Sequence, residues 1–157
     1  MRRLLFAFAT ILTVALTGPL TLAAATDPLV DRTRAMYAAF ATGNPGVLID
    51  SLAPDVRWEV VGRPSDCACM GVRTGRAAVR EFFGLIDSLY EFTQFTPIEF
   101  RASGDMVFVL GHYAARNRQT GKSYESDWIH VHTFRDGKIA AFREFLDTAA
   151  EAEANRR

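Results

Sequence analysis

Cysteine is scarce in this sequence, and neither sign of charge is in excess. Two of the 157 residues are cysteines, Cys67 and Cys69, and 18 basic residues balance 18 acidic ones. A disulfide between two cysteines so close in sequence cannot stabilise a whole domain, so the fold must depend on a buried apolar core. Because the charge is balanced, the clustered positive field that binds nucleic acid or an anionic membrane is missing. We therefore expect neither as a partner of the domain.

Several catalytic signatures are missing as well. The sequence contains no Ser-His-Asp spacing, no glycine-rich loop that cradles phosphate and no dinucleotide-binding fingerprint. His112 and His132 are too isolated in sequence to predict a metal site. We therefore expect no cofactor and no bound metal.

The first 25 residues have the three parts of a secretory signal. Arg2 and Arg3 precede an uncharged apolar run, 4–16, which is short for a membrane span, and the small residues 23–25 suit a signal peptidase. We expect cleavage near Ala25 and a secreted or periplasmic protein. An uncleaved membrane anchor that continues through Ala25 is the alternative. Without Arg2 and Arg3, the remaining chain has a formal charge of −2.

The rest of the chain is predicted to form one domain, residues 26–148, and a tail, residues 149–157, that is a frayed helix or disordered. Apolar residues at helical spacing predict a helix in 27–41 and a second helix, capped by Thr74, whose apolar stripe runs from Val79 to Leu89; a short helix is expected after Pro45. An irregular segment is expected at 62–75, and strands at 55–61, 98–100, 106–110, 128–134 and 139–146. This order predicts an α+β fold: a bent sheet with helices on one face and a pocket between them.

The cysteine pair leaves three alternatives open. Cys67 and Cys69 can pair with each other in an oxidising compartment, although so small a ring restrains little chain entropy. A structural or incidental role in a loop is the interpretation we favour. An intermolecular disulfide and a zinc or copper site are the alternatives.

The last predicted hairpin assigns side chains to faces of the sheet. A three-residue loop at Arg135-Asp136-Gly137 would pair Phe134 with Lys138, place Trp128 opposite Glu144 and place His130 opposite Phe142. Alternation then gives one inward face, whose members are Ser126, Trp128, His130, His132, Phe142, Glu144 and Leu146. A two-residue loop would turn Glu144 away. The opposite face mixes apolar and charged residues, which suggests that it pairs with a second copy in a homodimer. The members of this face are Asp127, Ile129, Val131, Arg143, Phe145 and Asp147.

Glu144 and His130 are the candidate catalytic residues. Beside Trp128 and Phe142 the Glu144 carboxylate would lose solvent, and its pKa should rise toward the range useful for acid–base work. His130 could exchange protons with it or fix its orientation. The structural alternative is a Glu144 held by an arginine or a backbone donor and a satisfied interior histidine. Tyr37 and Tyr113 are candidate hydroxyl donors.

Four segments carry a family resemblance: the helix end Ala41-Thr42-Gly43-Asn44, the strand entry from Leu52 to Trp58, the helix entry from Gly71 to Val79, and the C-terminal segment from Thr120 to Asp147, which ends in Phe142-Arg143-Glu144-Phe145-Leu146-Asp147. They resemble SnoaL-like proteins of the nuclear transport factor 2-like, or ketosteroid isomerase-like, superfamily, and together they cover nearly the whole chain after the signal peptide. The resemblance implies a cone-shaped, curved antiparallel sheet wrapped around N-terminal helices. It also implies that Glu144 points inward. The superfamily contains isomerases, cyclases, hydrolases, dehydratases and non-catalytic proteins, so the resemblance identifies the fold better than the activity.

The catalytic residues of two superfamily members transfer incompletely. In the limonene epoxide hydrolase pattern, the Arg-x-Asp of a central strand falls on Gly111 and Tyr113, and the early-strand Tyr and Asn fall on Trp58 and Val60. The final carboxylate of that pattern falls on Glu144, which keeps its chemistry. In ketosteroid isomerase, the general base would fall on Val60 and the helix tyrosine on Met36, next to Tyr37.

The sequence therefore predicts a domain that binds a small apolar or amphipathic molecule. Glu144, assisted by His130, would provide cofactor-free acid–base chemistry of an isomerase, cyclase or hydrolase type. Trp58, Tyr113 and Trp128 would form the substrate-binding walls, and Tyr37 could polarise a carbonyl or hydroxyl group of the substrate. A non-catalytic ligand-binding or dimerisation module is the alternative, and metal or redox handling by Cys67 and Cys69 is a third class.

Overall fold

A computed structural model describes residues 27–42 and 45–157. The predicted signal peptide lies outside the described residues. The first helix, α1, spans Pro28–Ala41, and the Asp27 side chain caps it by accepting a hydrogen bond from the Leu29 amide at 2.8 Å. Its buried face contains Val30, Thr33 and Tyr37, which confirms the helical spacing seen in the sequence.

The next elements are helix α2 at Pro45–Ser51, strand β1 at Leu52–Val60, strand β2 at Gly71–Thr74 and helix α3 at Gly75–Leu89. Strand β2 lies in the segment that we expected to be irregular. It is only four residues long and pairs antiparallel with β1, so its conformation depends on a partner distant in sequence. Thr74 does occupy the N-cap position of α3, but its side chain makes no capping hydrogen bond.

The remaining strands are longer than the sequence pattern predicts: β3 at Tyr90–Ser103, β4 at Met106–Asn117, β5 at Ser123–Arg135 and β6 at Lys138–Leu146. Within the described residues, six strands form one sheet in the order β2-β1-β6-β5-β4-β3, whose outer strands are β2 and β3. Strands β1 and β6 are parallel, and the other neighbours are antiparallel. The predicted antiparallel sheet is therefore mixed at one junction, because the chain between β1 and β6 returns as a crossover.

The last hairpin corrects the predicted register but keeps the predicted faces. Asp136 and Gly137 both have positive φ, 51° and 71°, and form a two-residue turn in which Arg135 pairs with Lys138. One residue of β6 is then extra, because Thr133 pairs with Ala141 whereas Phe134 pairs with Ile139.

The shorter turn and the bulge each shift the register by one residue in the same direction, so the total shift is two residues and the alternation of faces is kept. Glu144 therefore stays on the inner face, directly opposite His130, while Trp128 lies opposite Leu146 and His132 opposite Phe142. The predicted pairs of Trp128 with Glu144 and of His130 with Phe142 are wrong, although each of these residues is on the predicted face.

The C-terminal tail is helical over most of its length. Helix α4 spans Thr148–Asn155 and is capped by Asp147, whose carboxylate accepts hydrogen bonds from the amides of Ala149 and Ala150 at 3.0 Å. Glu151, Ala152 and Ala154 are buried, so this helix is docked rather than frayed.

The architecture is the predicted α+β one, with helices against the concave side of a curved, open sheet. Helix α1 packs against β3 and β4, α3 packs against β1, and α4 packs against β5. Among the described residues, no helix is long and apolar enough to cross a membrane. The layering leaves a cavity between the helices and the sheet.

Candidate functional site

A cavity of about 580 Å³ lies between the concave face of the sheet and helices α1 and α3. Most of its walls are apolar or aromatic. Five of the six predicted site residues line it: Tyr37, Trp58, Tyr113, His130 and Glu144. A volume of this size falls within the range of about 300–1,000 Å³ that ligand sites usually have.

One tyrosine and two histidines form a buried hydrogen-bonded group on the wall of the cavity. The hydroxyl of Tyr37, from the buried face of α1, lies 2.6 Å from His130 Nδ1 and 3.0 Å from His132 Nε2. Both histidines point inward because they are two residues apart on β5. His132 was not among the predicted site residues, although the same alternation places it beside His130.

Glu144 continues this chain of polar groups. Its Oε1 lies 3.4 Å from His130 Nε2, and the two side chains are 14% and 9% exposed, respectively. No arginine in the described part of the chain forms an ion pair with Glu144, as the structural alternative would require: Arg143 pairs with Glu59, and Arg116 donates to the Gly121 carbonyl.

One assignment of protons satisfies these contacts. His132 Nε2 donates to the Tyr37 hydroxyl, the hydroxyl donates to His130 Nδ1, and the protonated Nε2 of His130 faces the Glu144 carboxylate. The opposite assignment would aim the lone pair of His130 Nε2 at a carboxylate oxygen. This assignment directs the ring N–H of His130 toward the Glu144 carboxylate, although the 3.4 Å separation is not a hydrogen bond.

Burial controls the protonation of the inner groups. It lowers the pKa of His132 to about 3, with a smaller contribution from the neighbouring His130. The pKa of Tyr37 is raised well above its usual value, first by burial and then by the charge of Glu144. His132 is thus a neutral imidazole and Tyr37 a neutral phenol at neutral pH.

Trp128 does not line the cavity, contrary to the prediction. Its ring is stacked on His130 with a centroid distance of 4.0 Å and on Phe95 at 5.2 Å, so it supports His130 from behind. Trp58 does reach the cavity and is stacked on Phe142 with a centroid distance of 3.7 Å.

A second polar group lies on the same cavity and was not predicted. Glu151 on α4 is 3% exposed, and the Tyr124 hydroxyl donates to its Oε1 at 3.3 Å. Burial raises the pKa of Glu151 to about 7, and the nearby charge of Glu144 adds to the rise. Tyr113, a predicted site residue, packs edge-on against Tyr124. No sequence pattern singles out Glu151, because it stands in a polar, alanine-rich tail.

The two cysteines lie beside Glu151. Of the alternatives left open by the sequence, the structure has the internal disulfide between Cys67 and Cys69. Cys69 lines the cavity, and its sulfur is 3.2 Å from Glu151 Oε1.

A comparison of the sequence with models of known protein families agrees with the fold described above. Residues 33–142 match the family described as a SnoaL-like domain. The chain belongs to the SnoaL-like family. This membership confirms the resemblance noted in the sequence and the fold expected from it. No curated protein matches the chain.

Three crystal structures illustrate the similarity of this SnoaL-like chain to known folds. An NTF2-like protein from Burkholderia xenovorans LB400 is 29% identical, with 81% of this chain and 95% of that chain covered and a TM-score of 0.72. An NTF2-like protein of unknown function from Burkholderia pseudomallei K96243 is 27% identical, with 81% and 96% covered and a TM-score of 0.74. TerC, co-crystallised with polyporic acid, is 26% identical, with 82% and 98% covered and a TM-score of 0.72.

Two positions on which the resemblance placed catalytic residues carry none in this SnoaL-like chain. At Gly111 the indole of Trp128 fills the space that a side chain would need. Val60 is a buried apolar residue on the cavity wall. The Tyr37–His130–Glu144 group comes from α1, β5 and β6 instead.

Proposed function

We propose that the protein binds a small apolar or amphipathic molecule in this cavity and that Glu144, with His130, performs cofactor-free acid–base chemistry on it. The observation that carries the proposal is the chain Tyr37–His130–Glu144, which ends on the wall of a largely apolar cavity. Convergent polar groups in an apolar pocket are the usual arrangement of a small-molecule site.

Each residue of this chain has a distinct part in the proposal. The Glu144 carboxylate accepts a proton from the bound molecule, or from a water beside it, and returns that proton to another atom of the product. The N–H of His130 faces the carboxylate and offsets its charge. The Tyr37 hydroxyl is engaged by both histidines, so it orients His130 and is not free to polarise a substrate carbonyl. Proton transfer of this kind fits an isomerase, a cyclase or a hydrolase.

The experiment begins with the ligand. Native mass spectrometry of the protein purified from its own host would show a retained small molecule. Polyporic acid, with which the similar protein TerC was co-crystallised, is the first compound to titrate calorimetrically. We expect binding of the identified molecule to survive Glu144→Gln and its turnover to fall by about 10²- to 10⁴-fold.

Glu99→Gln is the matched control for this substitution, because Glu99 is an acid on β3 that pairs with Arg101 away from the cavity. Its turnover should equal that of the wild type. Equal turnover by the wild type and Glu144→Gln would refute the catalytic role.

A non-catalytic binding module is the second candidate. It is favoured by the apolar Val60 and by Gly111, which stand where superfamily enzymes have catalytic side chains. In that case a bound molecule would be released from the protein without chemical change. Glu144→Gln would then alter only the affinity of the protein for that molecule.

A homodimer formed through the outer face of the sheet belongs to the same proposal. Phe145, Ile129 and Leu110 are cross-strand neighbours on that face and are 38%, 41% and 37% exposed. Asp127 and Arg143 stand on the same face, so a second copy could meet it with apolar contacts and opposite charges.

Export is also proposed, on the basis of residues 1–25. The intact mass of the protein recovered from periplasm or medium tests it. A mass that lacks these residues supports cleavage near Ala25, and a full-length protein in the membrane fraction would support the uncleaved anchor.

A further inference from the structure

Two sulfurs and one carboxylate meet at the Glu151 side of the cavity. Cys67 and Cys69 come from the loop between β1 and β2, and Glu151 comes from α4. One ligand atom from each residue lies within 4.8 Å of the other two, and the residues are 5%, 2% and 3% exposed. This cluster is distinct from the Tyr37–His130–Glu144 chain.

The carboxylate of this cluster lacks sufficient hydrogen-bond donors. Glu151 Oε1 accepts a bond from Tyr124, but Oε2 is buried without a hydrogen-bond partner in residues 27–42 and 45–157. Cys69 Sγ lies 3.2 Å from Oε1, yet a disulfide sulfur has no proton to donate. A buried polar atom without a partner is costly, and native proteins seldom keep one without a reason.

We propose that, after reduction of the disulfide, Cys67, Cys69 and Glu151 bind a thiophilic divalent cation of the zinc type. The disulfide accepts two electrons and two protons from a dithiol reductant, which itself becomes a disulfide. The cation then displaces the two thiol protons and is held by two Sγ atoms and a carboxylate oxygen. A site with two sulfur ligands selects zinc-like cations over magnesium and calcium, which prefer oxygen ligands alone.

The loop is held in place by contacts that do not depend on the disulfide. Arg73 donates from Nη1 to the Cys69 carbonyl and from Nη2 to the Ala68 carbonyl, both at 2.8 Å. The Met70 amide donates to the Cys67 carbonyl at 3.0 Å. Reduction should therefore leave both sulfurs near Glu151.

The surroundings also suit the charge of the loaded site. Two thiolates, one carboxylate and a divalent cation sum to −1, and the guanidinium of Arg73 stands beside the loop to offset it. The Tyr90 hydroxyl, which donates to Asn155 Oδ1 at 3.0 Å, also lies 3.5 Å from Cys67 Sγ. Cys69 and Glu151 line the cavity, so a remaining coordination position would face it, as in open zinc sites. This site does not depend on the proposed function.

Co²⁺ is the probe for the experiment, because tetrahedral Co²⁺ with thiolate ligands has absorption bands in the visible range. A second band in the ultraviolet, from sulfur-to-cobalt charge transfer, reports the thiolate ligands directly. The full chain is reduced without oxygen by a phosphine, freed of reductant and titrated with Co²⁺, and then with Zn²⁺. We expect one saturable set of bands that Zn²⁺ abolishes. The oxidised wild type is a control that needs no substitution, and it should show no such bands.

Two substitutions and one matched control complete the test. Cys69→Ser should abolish the charge-transfer band. Glu151→Gln should weaken Co²⁺ binding by at least the roughly 10- to 100-fold that follows loss of an outer-shell partner. Glu153→Gln, an exposed acid on the same helix, should bind as the wild type does. A reduced wild type without charge-transfer bands would overturn the site, and unchanged affinity in a folded Glu151→Gln protein would overturn the assigned ligand set.

Discussion

Trp128 on β5 is the pairing partner of Gly111 on the neighbouring strand β4, and its indole occupies the space that a side chain at position 111 would fill. A Cβ built on Gly111 would be 2.1 Å from Trp128 Cζ2, which is well inside van der Waals contact. The ring cannot easily move away, because it is stacked on His130 on one side and near Phe95 on another. The glycine therefore fixes the position of the tryptophan that supports His130.

Gly111→Ala should destabilise the protein by about 1–3 kcal/mol, because the added methyl group overfills this contact. Urea unfolding measures the change. Gly84→Ala is the matched control, since a Cβ on Gly84 meets nothing within 4 Å and the residue lies inside helix α3. There the substitution should stabilise the protein by about 0.5–1 kcal/mol.

Trp128→Phe should partly restore the stability of Gly111→Ala, because the smaller ring removes the clashing atoms. The free energy of coupling between the two sites should be clearly positive, within the range of about 0.5–3 kcal/mol seen for contacting residues. Additive effects would contradict the steric explanation.

His132 should make the protein sensitive to acid. Its pKa is about 3 when folded and 6.5 in the unfolded chain, so between these values the unfolded state binds the extra proton. The free energy of unfolding should therefore fall as the pH drops from 6.5 toward 3, by up to about 1.4 kcal/mol per pH unit from this one group.

His132→Gln retains an amide nitrogen near the Tyr37 hydroxyl and does not titrate. Urea unfolding at several pH values should show that the variant loses less stability with acid than the wild type does. Above pH 7 the difference between the two proteins should become constant. Parallel curves over the whole range would mean that His132 binds its proton equally well in both states.

The faces of the last hairpin could be predicted from the sequence, whereas its register could not. Alternation along β5 is a local property, so it placed Trp128 and His130 on the inner side. The register depends on a turn with positive φ at Asp136 and on a bulge in β6, and each shifts it by one residue in the same direction. The sum is two residues, which is one full period of the side-chain alternation. Glu144 reached the predicted face for that reason.

Glu151 and strand β2 show what local patterns cannot supply. The burial of Glu151 results from docking of α4 beside the β1–β2 loop, and nothing in the composition of residues 148–155 indicates that contact. Strand β2 likewise takes its conformation from pairing with β1. The pairing of Trp128 with Gly111 on the neighbouring strand also cannot be read from a local pattern. Alternation along β5 therefore predicts the correct face for Trp128, but not that its ring lies behind the cavity wall.

Tyr37→Phe should destabilise the protein because it removes a hydroxyl that serves two buried histidines. His130 Nδ1 and His132 Nε2 would each lose their partner, at about 1–3 kcal/mol for an unsatisfied buried group. Combining the substitution with His132→Gln should give a non-additive loss, whereas combining it with the distant Gly84→Ala should be additive. A change of less than about 0.5 kcal/mol in Tyr37→Phe would show that water replaces the hydroxyl.

Ile129→Asp should dissociate the proposed homodimer, because it places a charge in the middle of the apolar row on the outer face. Burying an unpaired carboxylate between two copies costs several kcal/mol, while on a monomer the same side chain stays in water. Val47→Asp is the control, since Val47 is 40% exposed on helix α2, on the helix side of the sheet rather than its outer face. Light scattering after size-exclusion chromatography should give a dimer mass for the wild type and Val47→Asp and a monomer mass for Ile129→Asp. A wild type that elutes as a monomer at every concentration would contradict the dimer, and a dimer that tolerates Ile129→Asp would place its interface on another surface.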